Sequence, residues 1–174
     1  ITANHYFTTF YNTYPNGTYT ELARFHSGKA LYLDTPEPRL DQSSTYSAIA
    51  ELQMFMEYFP NSQRKTEAQS MIFELQDKLV MKDYLTAKLY YDLGTYTGNA
   101  SYTTDMRING NNFLACITTA QNALKDYPYT SMREDISILL LRAKHKLGTE
   151  SVLEKKEERM RETIDEYYAF KNEF

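Results

Sequence analysis

Three times in this chain an apolar helical stripe ends on an aromatic residue followed by proline: Tyr14-Pro15-Asn16, Phe59-Pro60-Asn61 and Tyr127-Pro128-Tyr129. Proline has no N–H to continue a helix, and it pushes the residue before it out of the helical region. Each step is therefore a helix stop, and what it stops is amphipathic. Ala3, Tyr6, Phe7, Phe10, Tyr11 and Tyr14 recur at helical spacing before the first stop. A second helix is predicted over 19–33, ending at Asp34-Thr35-Pro36-Glu37-Pro38. A third starts near Ser43 and is expected to bury Ile49, Leu52, Phe55, Met56 and Phe59.

The same reading continues down the chain. A helix over 63–80 carries Ala68, Met71, Ile72, Leu75 and Leu79 on one side, and a shorter one is expected over 83–96. Residues 97–112, with Gly98, Asn99, Gly110, Asn111 and Asn112, read as a loop. Phe113, Cys116, Ile117, Ala120, Leu124 and Tyr127 form the next stripe; Met132, Ile136, Leu139, Leu140, Ala143 and Leu147 form the seventh. An eighth helix, from about Val152, is predicted to bury Met160, Ile164, Tyr167 and Tyr168. No segment reads as a strand, so the expected fold class is all-α.

Paired helices with regular stops point to stacking of the tetratricopeptide (TPR) kind, a superhelical array of antiparallel helix pairs. Its unit is about 34 residues of helix–turn–helix, and no unit can bury its apolar face alone. The prolines fall about 45 and about 68 residues apart. The shorter interval fits one unit plus an insertion around 34–44. The longer one holds a long helix, a shorter helix and a loop instead of four even helices. Small residues at Ala23 and Gly28, with Leu31, suit the close approach of two helices in a unit. The expected organisation is a single repeat domain over 1–174, with units of roughly 1–16, 19–60, 63–128 and 131–174. Both ends lie within helical patterns, so the chain is expected to continue beyond Ile1 and Phe174 in a longer protein. The competing reading is an ordinary helical bundle.

Composition narrows the function. The net charge is −4 and no basic stripe is present, which argues against nucleic-acid binding. No apolar run approaches the roughly 20 residues needed to cross a bilayer. The 16 Tyr and 9 Phe suit half-buried helix faces and peptide grooves alike. Cys116, the single cysteine, can form no internal disulfide and reads as a small core residue. His5, His26 and His145 are scattered, without metal-ligand spacing. Phosphate-loop and nucleophile-elbow motifs are absent, and carboxylate pairs such as Glu134-Asp135 are ordinary on helix surfaces. The run over 154–162 reads as a solvated helix face supported by Glu157 and Arg161 at i,i+4, or else as a docking face. Asn99-Ala100-Ser101 fits a glycosylation sequon. No catalytic residue, metal or cofactor is expected.

The concave face of a TPR array is made by the first helix of each unit. Placing Gly28 at the close-contact position points Leu22, Phe25, Lys29, Tyr32 and Leu33 toward that groove. These are the candidate partner-binding residues. The aromatic rings would offer rigid apolar area, and Lys29 would meet a peptide carboxylate or carbonyl.

Taken together, Tyr58-Phe59-Pro60-Asn61-Ser62, Glu67-Ala68, Leu75, Asp77-Lys78-Leu79, Lys82, Ala87, Tyr90-Tyr91 and Gly94 resemble the BamD family. These are TPR lipoproteins of the outer-membrane β-barrel assembly machine. Asp126-Tyr127-Pro128-Tyr129-Thr130 continues the likeness. It covers about residues 1–147 and is strongest over 55–130. The many tyrosines and the long loop resemble a Bacteroidetes version. The resemblance implies a periplasmic protein held at the outer membrane by an N-terminal lipid anchor that would precede Ile1. It implies binding to the POTRA region of the barrel-forming subunit, mainly through the C-terminal half. It also implies that an N-terminal groove engages unfolded outer-membrane protein segments. The readings left beside it are an adaptor of another periplasmic cell-envelope complex and an enzyme on a helical scaffold.

Overall fold

The structure, a computed structural model, describes residues 2–95 and 111–174. Most of the loop predicted over 97–112, with its sequon, lies outside them. The described residues form seven helices and no strand: α1 (Thr2–Thr13), α2 (Thr20–Leu33), α3 (Ser43–Tyr58), α4 (Lys65–Leu93), α5 (Asn112–Asp126), α6 (Arg133–Thr149) and α7 (Leu153–Glu173). The fold is all-α, with successive helices packed in pairs as in a TPR-type array. Two compact units divide the chain, residues 1–79 and 80–174.

The aromatic–Pro steps make one repeated turn. Tyr14, Phe59 and Tyr127 donate the closing helical bonds, to the carbonyls of Phe10, Phe55 and Ala123 at 2.9, 2.9 and 3.0 Å. Their own carbonyls then accept from Gly17, Ser62 and Thr130, three residues on, at 3.1, 3.1 and 3.2 Å. Those residues in turn accept from Thr20, Lys65 and Arg133, where the next helix begins. Three hydrogen bonds thus carry the backbone across each stop. Proline is tolerated because its missing N–H falls where this series needs no donor.

In the first unit α2 presents three faces. Leu22, Ala23 and His26 look toward α1, where Asn4 Nδ2 donates to Ser27 Oγ at 2.8 Å. Phe25 and Gly28 look toward α3. The ring of Phe25 meets that of Phe55 at 5.4 Å, and a Cβ on Gly28 would stand 2.7 Å from Leu52 Cδ2. Lys29 and Tyr32 look toward α4, pairing with Glu67 and Glu74. Early residues of α2 meet late residues of α3, so the pair is antiparallel. The core gathers Phe25, Ala48, Leu52, Phe55, Ala68, Met71, Ile72 and Leu75. Of the residues expected to be buried on α3, Ile49, Met56 and Phe59 are only half-buried against this core.

The insertion between α2 and α3 is held by a buried amide. Gln42 Nε2 donates to the Glu37 and Leu40 carbonyls at 2.7 and 3.2 Å, and its Oε1 accepts from the Thr45 hydroxyl at 2.7 Å. Every polar atom of that side chain thereby has a partner, as a buried amide requires.

Two expectations are corrected. The helices predicted over 63–80 and 83–96 are one 29-residue helix, α4. No Gly or Pro interrupts Val80-Met81-Lys82-Asp83, and the apolar stripe runs on through Ala87, Tyr90 and Tyr91. Gly94, at φ +54°, then ends the helix in the left-handed region, its N–H bonding back to Tyr90 and Tyr91. The last helix does not bury its stripe. Ile164, Tyr167 and Tyr168 are exposed, Met160 is half-buried, and Thr163 is the buried residue of α7.

In the second unit the core joins Val80, Ala87, Phe113, Cys116, Ile117, Ala120 and Ala123 to Ile136, Leu139, Leu140, Ala143 and Leu147. Cys116 is fully buried there. Burial, with a smaller contribution from Asp92, pushes its thiol up to about 11, which makes it a packing residue and not a nucleophile. The Lys144–Glu166 pair at 2.6 Å ties α6 to α7, and a Cβ on Gly148 would meet Met160 Sδ at 2.8 Å. Lys144 meets Glu166 further along α7 than Gly148 meets Met160, so this pair too is antiparallel.

Candidate functional site

The five residues proposed from sequence go to four different places. Phe25 is 2% exposed and belongs to the core between α2 and α3. Its i,i+3 relation to Gly28 turns both toward α3, so it cannot line a groove. Lys29 Nζ pairs with Glu67 Oε1 at 2.7 Å, and the Tyr32 hydroxyl donates to Glu74. That hydrogen bond is the main reason the Tyr32 phenol is raised above its ordinary value. Both side chains thus brace α2 against α4. Leu33 is 72% exposed at the end of α2. Leu22 alone lines an apolar groove.

That groove runs between α1 and α2 and encloses about 420 Å³. Tyr6, Phe7 and Phe10 come from α1; Tyr19, Leu22, Ala23 and His26 complete the lining. Spacings of i, i+1 and i+4 on both helices put these residues on facing stripes. The imidazole of His26 stacks on Phe7 at 5.6 Å and meets the edge of Phe25 at 5.4 Å. Among the described residues no carboxylate, lysine or arginine lines the groove. Tyr6 and Tyr19 are both strongly exposed, so large rings stand open beside it.

Charged side chains near it are used to hold the helices. The Arg24 guanidinium lies between the rings of Tyr11 and Tyr58, 4.2 and 4.1 Å from their centroids. The Tyr11 hydroxyl donates to Glu51 Oε1 at 2.9 Å. Burial first, and the Glu51 carboxylate with it, raises the Tyr11 phenol, which stays a donor at neutral pH. Arg24 therefore clamps α1 and α3 around α2 and steadies one wall of the groove.

Sequence reasoning missed Tyr6, Phe7, Phe10, Tyr19, Ala23 and His26. The signal was available: α1 concentrates aromatics on one stripe. Tyr11 is its only buried residue.

Among the described residues no three His, Cys, Asp or Glu side chains gather as a metal site, and no helix is long and apolar enough to cross a membrane. Paired helices, repeated turns and an apolar groove define an all-helical repeat protein of the TPR type. The sequence matches the YfiO family, described as outer membrane lipoprotein, over residues 1–109. The chain belongs to this family, also called BamD, whose members are non-catalytic assembly factors. The match takes in α1 to α4 and leaves α5, α6 and α7 beyond it. No curated protein matches the sequence.

Proposed function

We propose that this chain is a scaffold of the outer-membrane β-barrel assembly machinery, working at the periplasmic face of the outer membrane under a lipid anchor. It binds the POTRA-containing barrel-forming subunit, and its first unit engages unfolded segments of outer-membrane proteins. The observation that carries the reading is the family match over residues 1–109. The α1–α2 groove supports the second half of it. Such segments are extended and alternate apolar with polar side chains. An uncharged, ring-lined trough suits an apolar side chain and asks for no particular charge on its neighbours. Tyrosine adds apolar area at low entropic cost and keeps its hydroxyl in water.

The test is recovery of the lipid-anchored protein from its native envelope, with mass spectrometry of what accompanies it. The expected result is the POTRA-containing subunit in stoichiometric yield. Its absence, with other envelope proteins recovered instead, would move the function to an adaptor of a different periplasmic complex.

A further inference from the structure

The α6–α7 pair carries an open groove, also of about 420 Å³, that differs from the first in its charge. Its apolar lining is Leu141 from α6, Met160, Ile164 and Tyr167 from α7, and Tyr91 from α4. Ile164 is 51% and Tyr167 49% exposed, so roughly half of each stands open among the described residues. Arg142, His145 and Lys146 stand along the same groove, at i, i+3 and i+4 on α6.

The whole chain has more acidic than basic residues, 23 against 19, yet among the described residues no carboxylate lines this groove. Lys146 meets Glu150 at 3.7 Å, with both side chains well exposed. A pair of that kind is weak and is readily exchanged for another carboxylate. Lys144, between the lining residues, is turned away into its pair with Glu166, which fixes α7 against α6 and holds the groove open.

We propose that this groove docks an acidic amphipathic segment of a partner protein. Its apolar side chains sit on Met160, Ile164 and Tyr167, and its carboxylates face Arg142 and Lys146. The apolar trough supplies affinity, and the cationic row selects the sign of the partner and its register. A recessed apolar lining between two helices suits side chains of a peptide better than the headgroups of a flat anionic membrane. The proposal rests on the reading of the chain as a binding scaffold, and not on which assembly it serves.

Two labelled peptides test it by fluorescence anisotropy on the full chain. One is amphipathic with Leu, Phe and Glu; the other has Lys for every Glu. The acidic peptide is expected to bind at least about tenfold tighter at low salt, with the gap narrowing as salt rises. Arg142→Glu with Lys146→Glu should reverse the preference, and Ile164→Asp should abolish binding of both peptides. All three positions are exposed, so thermal unfolding should stay unchanged and serves as the folding control. Equal binding of the two peptides overturns the proposal. So does an unreversed preference in the charge variant, or binding to phosphatidylglycerol vesicles without binding to the acidic peptide. Loss of the assembly reading would show elsewhere, as a missing POTRA-containing subunit in the envelope recovery.

Discussion

The grooves at α1–α2 and α6–α7 have the same volume and the same construction, a trough between two paired helices, and they differ in what stands along them. The first is lined by four rings and an imidazole, with no lysine, arginine or carboxylate among the described residues. The second sets Arg142 and Lys146 beside its aliphatic and aromatic lining. Helix pairing provides the trough in both cases, because two cylinders packed by one stripe each leave a furrow beside the contact. The residues one position off the contact decide what fits. The first groove lies within the family match and the second almost wholly beyond it, with Tyr91 as the one lining residue inside. An uncharged trough accepts many sequences, as a protein handling diverse unfolded clients needs. A charged one discriminates, as a fixed partner needs.

Substitutions can break or sharpen this comparison. The largest effect is expected from Phe25→Ala, which empties a fully enclosed ring site beside Phe55 and should cost about 3–5 kcal/mol in urea unfolding. A loss near zero would return Phe25 to the groove and blur the three faces of α2. Gly28→Ala drives a methyl into Leu52, itself fully buried, and should cost about 1–3 kcal/mol in the same measurement.

In the second unit the expected change is smaller and of opposite sign. Burial first, then the neighbouring Asp126 charge, raises the Asp83 carboxyl above its ordinary value. A raised folded value means that the folded state holds the proton more tightly than the unfolded one. Stability therefore falls as pH rises from the unfolded value through the folded one. Asp83→Asn should give a modest gain at neutral pH that disappears in acid, read from melting curves across pH. Tyr6→Ala should leave the melting curve where it is, since the ring is 70% exposed, while weakening capture of an unfolded outer-membrane segment several-fold.

The helix stops were legible because the aromatic–Pro steps act locally: Pro15, Pro60 and Pro128 each end a helix whatever surrounds them. Gly28 was legible as a close contact for a similar reason, since a missing side chain is visible in a sequence. The faces of α2 were harder. Assigning Phe25 to the groove overlooked that it shares a face with Gly28, and the tie of Lys29 and Tyr32 to α4 depends on Glu67 and Glu74, some forty residues on. The stripe of α7 shows the limit of periodicity. Met160, Ile164 and Tyr167 mark one side of a helix as apolar, but what covers that side is a tertiary fact. Asp83 suggested a new helix start, and only the unbroken stripe from Leu79 to Ala87 reveals one continuous helix.

The most direct test of the client-binding claim is site-specific photocrosslinking in the envelope, with the crosslinking residue at Tyr6 and, for comparison, at Tyr129. Both are strongly exposed, and Tyr6 alone borders the uncharged groove. Adducts to newly made outer-membrane proteins from Tyr6, and few from Tyr129, are the predicted result. Equal yields from the two positions, or none from Tyr6 while the protein remains bound to its assembly partner, would contradict the assignment of that groove to unfolded clients.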